Sequence, residues 1–282
     1  MLLIVAVRFC TYIFEVWQLG IYMTGWTSTP RLAGCDENWV ENLSYLLAKY
    51  NWSENLHPIV NKLSNGERLS IADGHILYSH TSLNEVGHLA NLAKLSRYGN
   101  SVFFNSNVHV NQTNICVLAC RFCAFRRSKK QADSYALSID EYLEEIEKYS
   151  GLIDEVHSVG GLHPDWDVSF YEKLISAAKR KYPDISIKAL TAVEIKHLSN
   201  KSNINFTETL KRLKKAGLDS LPGGGAEILN DDVRGIICNG KESSDEYLQI
   251  HREAHTIGLP SNATMLFGTI ESINDRLVHM DK

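Results

Sequence analysis

No excess of positive charge marks this 282-residue chain: 29 Lys and Arg stand against 33 Asp and Glu, a net charge of −4. Its global balance therefore gives no support for nucleic acid as a partner. Long apolar runs are missing as well. Residues 1–23 are rich in apolar side chains, but Arg8, Glu15 and Gln18 interrupt them. The uninterrupted length falls short of the roughly 20 residues a membrane span needs, so no stable membrane insertion is expected. No basic start precedes the run and no clear small-residue cleavage site follows it, which argues against a secretory signal. Six cysteines are too few and too unevenly spread for a small disulfide scaffold. A second paired C-x2-C unit, usual in structural zinc sites, is also lacking.

What is present is an ordinary globular balance, 44% hydrophobic and 22% charged, in a chain long enough for one large α/β domain with a substantial core. Residues 36–100 read as helical, and in 83–98 Val86, Leu89, Leu92 and Leu95 recur at helical spacing. From residue 101 a strand–helix alternation sets in, the pattern of a parallel β/α fold. Strands are expected at 102–110, 153–159, 185–193, just before Pro222, and at 262–267. A capping box, Ser138-Ile-Asp-Glu141, opens the first intervening helix. Ser169-Phe-Tyr-Glu172 reads as the cap of the second, which stops at Pro183. Phe206, Leu210 and Leu213 stripe a third helix ending at Gly217, and a fourth is expected over 244–258. The alternation stops after strand five, so the chain reads as a partial, TIM-like barrel cut short there.

Immediately after strand one lies Asn114-Ile-Cys116-Val-Leu-Ala-Cys120-Arg-Phe-Cys123. Three thiolates at C-x3-C-x2-C spacing can hold three corners of a cubane iron–sulfur cluster, because soft sulfur suits iron. The fourth iron would then be open to chelation by a small molecule. A zinc knuckle and a chance grouping are the alternatives that spacing leaves. Cys10, Cys35 and Cys238 are distant in sequence and read as free thiols. A basic run, Arg121, Arg126, Arg127, Lys129 and Lys130, is either a solvated loop or a neighbour of an anionic ligand.

With Phe122 between the last two cysteines, the motif resembles the radical S-adenosylmethionine (SAM) superfamily. The fuller text from Asn111 to Phe125 is similar to the menaquinone and deazaflavin branch of that superfamily. The resemblance runs from about Ile59 to the end and includes Asn65-Gly-Glu-Arg-Leu-Ser70. It implies a radical SAM β/α barrel core over 101–282 behind a helical N-terminal cap at 36–100. Residues 1–35 are an extension without a counterpart, either a peripheral helix or an upstream mis-start with Met23 as the true beginning. Members of the branch continue past this chain's last residue, which implies truncation after strand five. The resemblance further implies a [4Fe–4S] cluster on Cys116, Cys120 and Cys123, SAM as co-substrate, a reductant such as flavodoxin or ferredoxin, and a cytoplasmic setting.

In parallel β/α folds ligands lie at the C-terminal strand ends, and the unusual residues fall there. Phe122 is expected beside the cofactor. Gly160 and Gly161 would meet the methionine end of SAM, unless they merely form a tight turn. His163 follows them as a candidate catalytic residue or a structural histidine. His109 shares a strand-one face with Asn107 and Asn111 and is the second catalytic candidate. Thr191, Glu194 and Glu227 are candidates for the ribose hydroxyls, with helix capping as the plain alternative. Gly160-Gly-Leu-His-Pro164 resembles aminofutalosine synthase and the deazaflavin subunit alike, while Lys188-Ala-Leu-Thr-Ala-Val-Glu194 and Asn262-Ala-Thr-Met-Leu-Phe-Gly268 resemble aminofutalosine synthase. That resemblance implies addition of the 5′-deoxyadenosyl radical to 3-[(1-carboxyvinyl)oxy]benzoate, giving 6-amino-6-deoxyfutalosine for menaquinone. Cyclic dehypoxanthine futalosine synthase, a deazaflavin synthase subunit and an inactive metal-binding remnant are the alternatives.

Overall fold

A computed structural model describes residues 35–282. The readings made for residues 1–34, Cys10 included, lie outside the described residues. Those described form two compact units, one over 104–270 and one joining the stretch up to 103 with 271–282.

The helical unit starts with α1 (Trp39–Leu47), α2 (His57–Ser64), α3 (Ile71–Ser79) and α4 (Leu83–Tyr98). Serines start the last two. Ser70 Oγ accepts the Asp73 amide while Asp73 returns a bond to the Ser70 amide, and Ser82 Oγ accepts the Glu85 amide. These bonds satisfy amides that the first turn leaves orphaned. Leu43, Leu47, Leu56, Ile59, Leu63, Leu89 and Leu92 form the unit's core.

In the β/α unit, β1 (Asn107–His109), β2 (Glu155–Ser158) and β3 (Ser186–Ala189) make a parallel sheet in that order. Single parallel bridges carry the pairing on, Lys188 to Ser220 and Leu221 to Ser261. Helices α5 (Ile139–Glu147), α6 (Val168–Lys181), α7 (Ala192–Ser202), α8 (Phe206–Ala216), α9 (Asp231–Ile237) and α10 (Ser244–Thr256) complete it. Val110, Val156, Ile187 and Ala189 join the apolar faces of α5, α6, α7, α8 and α10 in one core. That leaves Asn107, His109, Glu155, His157, Ser186 and Lys188 on the sheet's other side, by the two-residue strand period.

Several expected boundaries shift. Strand one is confined to 107–109: Val102, Phe103 and Phe104 are exposed and pair with nothing in the sheet, so their β propensity is not used. Strand three ends at Ala189. Leu190 takes a left-handed φ of 65° and Thr191 opens α7, a helix the alternation did not predict. The cap of α6 is Asp167, whose carboxylate accepts the Phe170 amide, and not Ser169. The expected strand at 262–267 is reduced to the bridge at Ser261, and the Leu266 amide bonds instead to the Glu227 carbonyl. Helix α9, capped by Asn230, was likewise not predicted.

The closing helix α11 (Ile273–Asp281) belongs to the helical unit, where it packs on α3. Gly74 permits that approach, since a Cβ there would come within 2.4 Å of a Leu277 methyl. Among the described residues no helix is long and apolar enough to cross a membrane.

Candidate functional site

Buried polar residues carry the chain from β1 into the cysteine loop. Thr113 Oγ1 donates to the Tyr135 carbonyl at 2.6 Å and accepts the Ile115 amide at 3.0 Å. Asn114 donates to the Asp133 carbonyl and accepts the Tyr135 amide, at 2.9 and 2.8 Å. The Cys116 amide then donates to the Arg127 carbonyl. The loop is therefore closed at its base, where 113–116 bond to the segment 127–136, before any ligand is considered. Arg127 holds that segment closed through Asp133 at 2.6 Å and through carbonyls of its own loop, while Lys129 pairs with Asp165. These two members of the basic run are thus occupied by protein carboxylates.

Cys116, Cys120 and Cys123 are free thiols and all half-buried. Burial pushes the Cys120 thiol up, and the neighbouring Cys116 and Cys123 add to the rise while Lys241 opposes it. Among the described residues no three His, Cys, Asp or Glu side chains are grouped so as to hold one metal ion. A multi-iron cluster takes each thiolate on a different iron and asks for a wider spread.

Gly160 and Gly161 pack against the root of this loop. A Cβ on Gly161 would lie 2.2 Å from the Ile115 carbonyl oxygen, and one on Gly160 would lie 2.5 Å from the Gln112 amide. The Gly161 amide donates to the Thr113 carbonyl at 2.8 Å. Their bare backbone is required by the protein's own close approach. Glu194 lies beneath, 3% exposed, with four donors on its two oxygens: Gly160 N and Gln112 Nε2 on one, Thr191 N and Thr191 Oγ1 on the other. Burial raises its pKa in spite of those bonds. Thr191 and Glu194 thus form the α7 capping box and tie it to the glycine turn, with no oxygen of Glu194 left for a ribose. Gln112, not singled out from sequence, joins Ser158, Tyr171 and Glu194. Its position between strand and cysteine motif was the available signal.

His163 is buried against Trp166, with ring centroids 4.4 Å apart, and its Nδ1 accepts the Asp165 amide. Burial holds its pKa below the ordinary value. His109 is exposed on β1 and its ring lies 5.0 Å from that of His157.

Glu227, at a left-handed φ of 45°, pairs with Lys241 at 2.6 Å. Lys241 Nζ lies 5.5 Å from the centre of the Phe122 ring. Burial opposes the Lys241 charge, but Glu227 and Cys120 outweigh it and its pKa is raised. Phe122, Glu227 and the cysteine loop are thereby brought together around a lysine without any motif. Helix α9 buttresses the same loop: the Arg121 amide donates to the Ile237 carbonyl, and Cys120 packs on Ile228, Val233, Ile237 and Cys238. Cys238 is distant in sequence yet close in space.

A parallel β/α sheet with a half-buried thiol triad at the end of its first strand defines the class. The family model of the radical SAM superfamily matches residues 110–282, and the chain belongs to that superfamily. It is 42% identical over 228 residues to an aminodeoxyfutalosine synthase of Thermus thermophilus, which covers 80% of this chain and 61% of the relative. An aminodeoxyfutalosine synthase of Streptomyces coelicolor is 37% identical over 220 residues, 78% of this chain and 57% of its own. A 5-amino-6-(D-ribitylamino)uracil–L-tyrosine 4-hydroxyphenyl transferase of Methanothermobacter thermautotrophicus is 38% identical over 196 residues, 68% and 53% of the two chains. The chain thus spans about three fifths or less of these relatives' length. Among solved structures, methylornithine synthase superposes with a TM-score of 0.62 at 19% identity, covering 78% of this chain and 62% of that one. That likeness concerns the fold alone.

The superfamily works with a [4Fe–4S] cluster and SAM, and the residues present fit the group. Three unbridged thiols share one pinned loop, their sulfurs are not tied up in disulfides, and a half-buried cation, Lys241, stands beside Cys120.

Proposed function

We propose that this chain carries the core of an aminodeoxyfutalosine-forming radical SAM transferase. In that reading the 5′-deoxyadenosyl group of SAM is joined to 3-[(1-carboxyvinyl)oxy]benzoate on the way to menaquinone. The observation that supports it most is the 42% identity to the Thermus relative over a stretch that includes the whole cysteine loop and its supports. Cys116, Cys120 and Cys123 hold the cluster. When bound, a reduced cluster with SAM supplies a carbon-centred adenosyl radical.

The chain's own residues position and shield. Thr113 and Asn114 fix the cysteine loop, and Gly160 and Gly161 bring the β2 turn against it. Glu194 locks that turn to α7. Glu227 and Lys241 place a neutralised charge pair beside Phe122 and Cys120, where Glu227 is the acid best placed for a ribose hydroxyl. His109 stands on the open side of the sheet as the site histidine. His163, held by Trp166 and the Asp165 amide, stiffens the Gly-Gly-Leu-His-Pro turn. A flavodoxin- or ferredoxin-type reductant and a cytoplasmic setting belong to the same reading. The 38% identity to the tyrosine transferase supports a second reading, a tyrosine-derived radical coupled to a ribitylaminouracil.

The test is anaerobic reconstitution followed by incubation with SAM, dithionite and either substrate. Mass spectrometry is expected to show adenosyl carbon joined to the aryl product with the enolpyruvyl benzoate. Free 5′-deoxyadenosine that forms only with tyrosine present would hand the assignment to the second reading.

A further inference from the structure

The face of the sheet turned away from the helices carries a row of which the roles above use only His109. His109 of β1 stands in register with His157 of β2, and His157 with Lys188 of β3. Ser220 continues the row through its bridge to Lys188. Neighbouring positions across a sheet lie about 4.8 Å apart, and the two imidazoles sit 5.0 Å apart at 55°. Val108, Val156 and Ile187, one residue away on each strand, face the apolar core. The row is therefore on the open side.

This arrangement is uncomfortable as it stands. Groups that are cationic or can become so, placed directly across a sheet, repel one another. Lys188 is half-buried, and among the described residues no carboxylate pairs with it. The nearest acid along that face, Glu155, is buried and its carboxylate takes a hydrogen bond from Asn105 at 2.7 Å. Burial, His109 and Lys188 together push the His157 imidazole down to about 4. A half-buried ammonium standing between an imidazole and Ser220 lacks a counter-ion. One step nearer the strand ends, Asn111 holds a buried side-chain oxygen with no partner. Gly160 follows His157 and Thr191 follows Lys188 by three residues each, so the row lies directly below the glycine turn and the α7 cap.

We infer that His109, His157 and Lys188 form the seat of an aryl carboxylate: Lys188 receives the carboxylate, and the two imidazoles flank its ring. The inference rests on the reading above that the chain acts on a carboxylated aromatic substrate. It names the residues that would hold it.

Isophthalate, an unreactive aromatic dicarboxylate, is the probe. It is titrated calorimetrically into the full cluster-loaded chain, anaerobically and without reductant, so that no turnover enters the readout. Binding is expected to weaken about tenfold or more in Lys188→Met, the loss of one charge-assisted hydrogen bond. Lys188→Arg is expected to stay within a few-fold of the parent. Circular dichroism melts check that both variants fold, and the arginine variant keeps the test decisive if the methionine variant does not. Equal affinity in Lys188→Met, or failure of the parent chain to bind either isophthalate or L-tyrosine, would overturn the row. Binding of L-tyrosine alone, lost in Lys188→Met, would overturn the aryl carboxylate as occupant and the aminodeoxyfutalosine reading with it, leaving Lys188 the seat of an α-carboxylate.

Discussion

A buried carboxylate that accepts four hydrogen bonds cannot be exchanged for an amide without leaving donors facing a donor. Glu194 is in that position, with the Gly160 and Thr191 amides, the Thr191 hydroxyl and the Gln112 side chain all directed at it. Glu194→Gln is expected to cost about 2 kcal/mol, the scale of lost hydrogen bonds to a charged group. Chemical denaturation of the two proteins measures it directly. A ribose-binding role without structural weight would leave the midpoint unchanged. The same residue shows what a sequence can convey at this scale. Helix capping stood open for Thr191 and Glu194 as the plain alternative to ribose binding, because a cap and its return bond are local. The second carboxylate oxygen reaches Gly160 and Gln112, which are distant in sequence, and no local rule gives such a contact. Lys241 was missed for the same reason: only the fold brings it to Glu227 and Phe122.

At the scale of elements, helix starts were easier to read than strand lengths. Ser138 begins α5 where its capping box placed it. Strand ends depend on where a partner strand stops, and Val102 to Phe104 have none in the sheet. The turn at Leu190 depends on a left-handed backbone that leucine seldom adopts, which hid α7 behind an apparently continuous strand. Helix α4 offers a pH test of this cap logic. Glu85, in its first turn, accepts the Ser53 amide and hydroxyl at 2.7 Å each and meets His80 at 2.8 Å. The Ser53 bonds, with His80 added, pull its carboxyl from 4.5 down to about 2. A folded-state value below the unfolded one means stability that is fully present above the unfolded value and lost as pH falls toward the folded one. The stability difference between the parent chain and Glu85→Gln should therefore be largest near about pH 6 and shrink by about pH 3. Urea unfolding at the two pH values reads it, and a difference independent of pH would show that the carboxylate is not the acceptor that counts.

For the molecule as a whole, the cysteine spacing announced a cluster, and residues far along the chain decide which thiols can serve it. Cys238 packs in the apolar group on which Cys120 rests, so proximity alone would make it a rival ligand. Its chemistry argues against that. The side chain is fully buried in that apolar group, where a thiolate would lose its hydration, whereas the three loop thiols are half-buried. Cys116, Cys120 and Cys123 sit on a loop closed at its base, so their positions cost little further ordering when a cluster forms. A group bound by the folded chain alone raises its apparent stability by mass action. The reconstituted parent should consequently melt at a higher temperature than the same chain stripped by a chelator. Replacing any one of the three loop cysteines by Ala should abolish both the iron and sulfide content and that rise in melting temperature. Cys238→Ala should keep both, and lose only about 1 kcal/mol of stability from the packing it gives up. Iron and acid-labile sulfide assays beside melting curves of all four variants distinguish the cases. A Cys238→Ala protein that folds but holds no cluster would make the buried thiol a ligand and end the three-cysteine assignment.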